Sequence, residues 1–451
     1  MFDSSKKYGI LGMARSGIAA AYKIKELGGS AFLSEKQWKD KIPASNQLMQ
    51  DFPCEFGGHT NKLLNCDCLI VSPGIPLTIP VLVEAKAKGI ELISEIEFGY
   101  QIKAPDSKII AVTGSNGKST TASLIHHILV QMGCKAILAG NIGDAFCSYP
   151  IHQTGIDYIV LEISSFQLDL ITSFKPEVAV LLNITPDHMN RYATFDDYAA
   201  SKARIFKNQD ENDSAVLFLD SPEVTRWTTS VRARKLLFSL QELQPKAYAC
   251  LRGKFIHFGL STIVSIYDLS IRGPHNYANA MAAMLAVHAL VPDSEAIGNA
   301  VKGFKPLTHR LEYIGSIRGV SFYNDSKATN TDSVRSALLS FERPIRIMMG
   351  GSEKGEDFSV LTEDLQKKAL KVYITGDTQV QMRQAWLGKV PLICIDDFET
   401  CVRTAFDEAL AGDVIVLSPA CASFDHFQNF EHRGEFFKQI VASIIAENEK
   451  K

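Results

Sequence analysis

Seven consecutive residues, Gly114, Ser115, Asn116, Gly117, Lys118, Ser119 and Thr120, have the types and order that handle a polyphosphate. Glycines let backbone N–H groups close on an anion, and the start of a helix adds its dipole. Lys118 has the reach for β/γ-phosphates, and Ser119 or Thr120 can ligate Mg²⁺. The strict phosphate-loop pattern needs a glycine where Val112 stands, so the match is partial. The competing reading is an ordinary strand–turn–helix. The flanks favour the cradle: Ile109-Ile-Ala-Val112 has the length of a buried strand, and Leu124, Ile125, Ile128 and Leu129 recur at helical spacing behind Lys118.

Other candidates stand where expected strands stop. Residues 135–138 lead to Gly140-Asn141-Ile-Gly143. Residues 157–161 lead to Glu162-Ile-Ser164-Ser165, and 178–182 to Asn183-Ile-Thr-Pro-Asp-His188. A parallel sheet gathers such ends on one side. Glu162, a hard carboxylate, is therefore expected opposite Ser119, across a Mg²⁺ ion. His188 is open between a structural role and that of a ligand. Lys202, on a helix expected over 196–208, reads by composition as a solvated surface lysine. An ammonium cannot ligate Mg²⁺, so a role at the metal would require chemical modification.

A chain of 451 residues exceeds one core, and about three domains is the expectation. Its net charge of −3 carries no nucleic-acid or membrane footprint. No apolar run reaches membrane-span length and Met1-Phe-Asp-Ser-Ser-Lys-Lys is not a signal peptide, so a cytoplasmic location is expected; a monomer is expected as well, though these features do not bear on it. Nine cysteines without paired CxxC clusters fit reduced, mostly buried thiols, with Cys66 and Cys68 structural.

The positioning elements form an α/β chain. Residues 8–27 read as a strand and an Ala-rich helix, a Rossmann-like start. Gly9, Gly12 and Gly17 miss the dinucleotide spacing. A second strand, 31–35, ends in Glu35, an acid of the type that contacts a ribose. A third, 68–71, ends at Ser72-Pro-Gly74-Ile-Pro76, which is either a ligand turn or a rigid turn with no ligand. Residues 103–107 read as a linker, 209–272 as a strand over 213–219 with short strands after 248, and 277–290 as a helix. Asn276 caps that helix or, with His275 and Asn279, contacts a purine. Residues 304–310 read as a second linker carrying Arg310. The last third repeats the pattern: strands over 320–323, 345–349, 372–375 and 414–417 end in polar or small residues, and a helix over 431–447 follows.

In their order, Gly114-Ser-Asn-Gly-Lys-Ser-Thr120, Glu162-Ile-Ser-Ser165, Asn183-Ile-Thr-Pro-Asp-His188, His275-Asn276-x-x-Asn279, His309-Arg310 and Asn324-Asp325-Ser-Lys327 resemble the Mur ligases, the ATP-dependent amide-forming enzymes of peptidoglycan precursor synthesis. The resemblance covers essentially the whole chain. Gly350-Gly-Ser-Glu-Lys354, residues 417–430 and the first domain point to the branch that adds D-glutamate to UDP-N-acetylmuramoyl-L-alanine. It implies three domains: 1–105 for the UDP-substrate, a P-loop ATPase-like parallel sheet over 106–307 for ATP, and a Rossmann-like 308–451 for the amino acid. It implies a reaction through an acyl phosphate with two Mg²⁺ ions, Ser119 and Glu162 on one and His188 on the other. It makes Lys202 a lysine carbamylated by CO₂, able to coordinate the second ion. Asn276, Asn279, Arg310 and Asp325 match ATP-binding positions and Lys327 the reaction centre. Met13, Ala14, Arg15, Ser16, Glu35, Lys36, Gly74, Asn141 and Ser164 match UDP-substrate positions, and Thr329, Lys354, Ser423 and Phe430 the D-glutamate site.

Three rivals make different predictions. Another ligase of the same superfamily, L-alanine-adding or resembling folylpolyglutamate synthase, would use a different amino acid. A nucleotide-gated binding protein would form no amide. A dinucleotide oxidoreductase would bind NAD(P)H.

Overall fold

Short apolar runs set the architecture. The strands Lys7–Leu11 and Lys108–Thr113 bury every residue after the first, without alternation. Strands of parallel sheets covered by helices on both faces read this way. The computed structural model describes residues 2–189, 191–242, 244–353 and 355–449.

The first sheet has five parallel strands in the order Cys54–Phe56, Ser30–Glu35, Lys7–Leu11, Cys68–Val71, Glu91–Ile93. The second has nine strands. Its strand Lys108–Thr113 lies between Val178–Leu181 and Tyr158–Glu162, with Ala136–Gly140 beyond the latter. Register puts Val112 beside Glu162, and Glu162 beside Gly140. The loops after these strands therefore open at one level. On the far side the sheet continues parallel through Ser214–Phe218, Arg234–Ser239 and Ala249–Arg252, then turns antiparallel at Phe255–Phe258 and Ser261–Ser265. These last strands are the short ones expected after 248. The third sheet has six strands, parallel except at the Glu312–Ile317 edge.

The chain divides into two compact units. One holds the residues up to Asp268 with Ala278–Gly303, the other Leu269–Tyr277 with everything from Phe304 onward. The first two sheets share a unit because their cores are continuous: Ile10, Phe98, Phe146, Ile109 and Leu161 belong to one buried apolar cluster. Polar clasps reinforce it. The Glu97 carboxylate accepts the N–H groups of Thr172, Ser173 and Phe174 at 2.9–3.0 Å, and Glu95 accepts that of Cys147 at 2.6 Å.

Several elements depart from expectation. The 103–107 linker is tied down: Ala104 N–H donates to Ile151 O at 2.7 Å, and buried Ser107 donates to Ile156 O. The helix expected over 277–290 spans Pro274–His288. Asn276 lies inside it and donates to Arg272 O at 2.8 Å, so its expected capping role is corrected. The helix over 196–208 is α-helical at Phe195–Ala203, with Thr194 and Asp197 exchanging capping bonds, and tightens to 3-10 over Arg204–Phe206. All nine cysteines are free thiols, and Cys66 and Cys68 are buried. No helix among the described residues is long and apolar enough to cross a membrane.

Candidate active site

The glycine loop is held from outside itself. Ser115 N–H donates to Asn183 O at 3.0 Å, and Asn116 N–H to Asn183 Oδ1 at 2.8 Å. Asn183 Nδ2 returns a bond to Asn116 O at 3.0 Å. Ser115 Oγ donates to Thr185 O and lies 3.0 Å from the Tyr198 hydroxyl. Gly117 takes φ +86° as it starts the helix Lys118–Gln131, and a Cβ there would stand 2.3 Å from Asn279 Oδ1. The left-handed turn and the close carboxamide both require glycine. Lys118 curls over the loop, with Nζ 2.8 Å from the carbonyls of Gly114 and Ser115. Ser119 and Thr120 are buried at the first turn of the helix.

Lys202 is not the solvated lysine that composition predicts. It is 2% exposed, donates to Gly114 O at 2.8 Å and lies 4.6 Å from the Tyr198 ring centre. Burial drives its ammonium well below the usual lysine range, and neighbouring Lys118 adds to this; Asp187, Glu162 and Asp169 oppose it. Glu162, buried at its strand end, accepts Asn141 Nδ2 at 2.8 Å. His188 holds φ +57°, unusual for a residue with a side chain, and packs its ring 4.9 Å from Phe166. Ser164 caps the turn Ser165–Leu168 through a reciprocal exchange with Gln167.

At the carboxyl ends of the first sheet a cavity of about 960 Å³ opens. Ala14, Arg15, Ser16, Glu35, Lys36 and Gly74, all among the residues expected at a sugar-nucleotide, line it. Glu35 Oε2 accepts Met13 N–H at 2.7 Å, which orients the loop and the acid together. The Met13 side chain faces a neighbouring cavity of about 540 Å³ instead. Arg15 also reaches Gly143 O at 2.9 Å.

The second unit carries its own cluster. Asp325 follows the strand Val320–Asn324, is buried, and accepts Ser418 Oγ at 2.9 Å and Leu311 N–H at 3.2 Å. Burial pushes its carboxyl up to about 7 against the pull of those bonds and of Arg310. Burial, helped by Arg310, lowers the His275 imidazole to about 4, so it is neutral beside the guanidinium. His309 and Leu311 flank Arg310 with φ +61° and +44°. Lys327 Nζ lies 5.0 Å from the Phe430 ring centre. Ser423 is buried, and Thr329 and Phe430 are half-buried. Lys354 lies outside the described residues.

Comparison with known proteins identifies the arrangement. Residues 6–94 match the description "Mur ligase MurD-like, N-terminal domain", 112–287 "Mur ligase middle domain" and 309–421 "Mur ligase, glutamate ligase domain". A protein of Koribacter versatilis called UDP-N-acetylmuramoylalanine–D-glutamate ligase is 39% identical, over 99% of both chains. The chain belongs to the Mur ligase family. A Cytophaga hutchinsonii protein of the same name is also 39% identical, over 98% of this Mur ligase and 99% of its own length. The MurF ligase of Thermotoga maritima, solved with ADP, shares the fold: TM-score 0.63 at 17% identity, over 92% of this chain and 95% of that one.

Asn183, expected only as part of its motif, clamps the loop, and Ser72, expected in a turn, lines the first-domain cavity. Other residues that shape this Mur ligase's site escaped the sequence reading. Tyr198 lies under Lys202 at an i, i+4 helical spacing that was there to be read. His59 and Asn61 line the first-domain cavity. Arg433 is 2% exposed, and its guanidinium bonds Ser326 Oγ and the carbonyls of Ser326, Cys421 and Ala422 at 2.9–3.2 Å. No sequence signal separates such an arginine from the solvated ones.

Proposed function

We propose that this chain joins D-glutamate to UDP-N-acetylmuramoyl-L-alanine, with ATP as phosphoryl donor, in the cytoplasm as a monomer. The carrying observation is the 39% identity to proteins of that name along the full length of both chains, which accounts for all three domains at once. Domain limits near 105 and 307 fit this reading, each sheet serving one substrate.

Phosphorylating a carboxylate brings anions together, so neutralising charge is the first demand. Lys118 and the loop N–H groups cradle the triphosphate. Asn276, Asn279, Arg310 and Asp325 hold the rest of the nucleotide. Among the described residues no three His, Cys, Asp or Glu side chains form a ready-made metal centre. That fits Mg²⁺, which binds through one or two carboxylates, waters and substrate phosphates. When bound, two Mg²⁺ ions would neutralise phosphate charge, with Ser119 and Glu162 on one and His188 and Lys202 on the other.

The low basicity of Lys202 supplies the neutral amine that its modification needs. Its nitrogen attacks CO₂, an N–C bond forms, a carbonyl electron pair moves to oxygen, and a proton leaves to solvent. The product is an anionic carbamate. With the sugar-nucleotide in the first-domain cavity, its L-alanyl carboxylate takes the γ-phosphoryl group. Thr329, Lys354, Ser423 and Phe430 hold D-glutamate while its amine attacks the acyl phosphate, and Lys327 stands at the reaction centre. Amide, ADP and phosphate result.

The test is phosphate release by the purified chain with ATP, Mg²⁺, UDP-N-acetylmuramoyl-L-alanine and a panel of amino acids. Release with D-glutamate is expected. Release with L-alanine or meso-diaminopimelate but not D-glutamate overturns the assignment.

A further inference from the structure

We propose that Arg191 is a positioning residue that links filling of the first-domain cavity to the metal-binding posture of His188. The proposal rests on the function given above.

Arg191 touches both ends of this link. Its Nη2 donates to Ile75 O at 2.7 Å. Ile75 belongs to the Ser72–Pro76 turn that lines the cavity, and its N–H donates to Ser72 O at 3.0 Å. Ser72 Oγ in turn donates to Gly12 O at 3.3 Å, which joins the turn to the loop that follows Lys7–Leu11 and also lines the cavity. At the other end, the Arg191 guanidinium lies 4.3 Å from the centre of the Phe166 ring. The same ring packs 4.9 Å from the His188 imidazole and stacks on Tyr192 at 5.8 Å.

The backbone repeats the connection. Arg191 N–H donates to His188 O at 2.9 Å, and Tyr192 N–H to the same oxygen at 3.4 Å. These bonds hold His188 at φ +57°, a conformation that costs free energy in a residue bearing a Cβ. The Phe166 face and a turn closed by Arg191 therefore help to orient the His188 ring, beside the Asp187 carboxylate 3.6 Å from its Nε2. The face and the turn both shift if the Ile75 carbonyl moves. A planar guanidinium can stack on a ring and donate in its own plane at once, which an ammonium cannot do. Burial lowers Arg191's basicity, yet it stays a cation at any working pH. A sugar-nucleotide that packs against the Ser72–Pro76 turn fixes the Ile75 carbonyl, and with it the imidazole.

Such coupling is reciprocal: substrate and metal must tighten each other's binding by one factor. The test titrates Mn²⁺ into the full chain with a non-hydrolysable ATP analogue, with and without UDP-N-acetylmuramoyl-L-alanine. Pulsed EPR reads the imidazole nitrogen modulation of the ion at His188. We expect the substrate to tighten Mn²⁺ roughly tenfold, toward the lower end of the range for coupled sites. Arg191→Met should reduce that factor to about one, leaving nucleotide affinity without substrate within about twofold. Arg191→Lys, which keeps the charge and loses the flat stack, should retain only part of it and serves if the Met variant fails to fold. No coupling in the wild type, or full coupling in both variants, overturns the proposal. Failure to form the amide overturns the assigned reaction instead, and is read separately.

Discussion

Replacing Gly117 with alanine isolates what the loop geometry is worth. A left-handed backbone costs a residue with a Cβ about 1–2 kcal/mol, and Gly117 sits at φ +86°. The added Cβ would stand 2.3 Å from Asn279 Oδ1, so the carboxamide must turn away. Moving a side chain off its rotamer costs about 0.5–1.5 kcal/mol more. The loop cannot relax freely, because Asn183 holds the neighbouring Asn116 at both its N–H and its carbonyl. Together these give about 2–3 kcal/mol, or roughly 30- to 150-fold in nucleotide affinity. Calorimetric titration of ADP into wild type and Gly117→Ala measures it. Affinity for the UDP-substrate is the internal control, because Gly117 does not line the first-domain cavity. In an Asn279→Ala background the cost should fall to the backbone share, about 1–2 kcal/mol. An ADP affinity within twofold of wild type, with unchanged thermal stability, refutes the reasoning.

Lys202→Ala should lose about 10²–10³-fold in kcat, the usual loss when one preorganised charge is removed; bicarbonate should restore part of it, and wild-type rates in the variant would remove Lys202 from the site. Burial raises Glu95 from 4.5 to about 7, so the folded first unit binds more protons than its unfolded chain between those values. Its stabilising share is full below about pH 4.5, falls by about 3 kcal/mol in all and is gone above about pH 7. Hydrogen exchange in that unit should show the slope, and Glu95→Gln should flatten it; an unchanged slope refutes the assignment. Arg433→Met leaves the Ser326 and Cys421 carbonyls without their side-chain donor, while Ala422 O keeps the Ser352 N–H, and should destabilise the second unit by about 1–3 kcal/mol, the cost of leaving buried polar groups unsatisfied. Because those residues border Lys327 and Ser423, KM for D-glutamate should rise more than KM for ATP, and equal changes in both would make Arg433 merely structural.

The strands were legible where apolar runs are uninterrupted. Cys68–Val71, Ile345–Met349 and Val414–Leu417 stand at their expected limits, since a strand buried on both faces tolerates few polar residues. Helix starts were less so. The Pro274 start was read three residues late, because Pro, His and Asn there suggested a cap rather than a first turn. Candidate positions were legible at glycines and at polar residues that follow strands: Gly117 starts its helix, Glu162 ends its strand and Asp325 follows one, as read. What periodicity could not carry was burial of single charges. Lys202 and Arg433 carry no local mark of burial in their helices, and only tertiary packing distinguishes them from solvated lysines and arginines.

That burial has a consequence for how this site holds charge. The ammonium groups of Lys118 and Lys202 both donate to one acceptor, the Gly114 carbonyl, each at 2.8 Å. Two cations converging on a single neutral oxygen repel each other, and where Lys202 lies the surroundings screen that repulsion poorly. Loss of a proton relieves it at Lys202, which is why burial and Lys118 act on that amine in the same direction. The proposed carbamylation would relieve it further, turning a repelled neighbour of Lys118 into an anion. The triphosphate would then meet an undiminished Lys118, while Lys202 would bring the negative oxygen that a second Mg²⁺ would require. A surface lysine would stay protonated at neutral pH and react poorly with CO₂. The same burial that hid Lys202 from the sequence reading is therefore what fits it for the proposed chemistry.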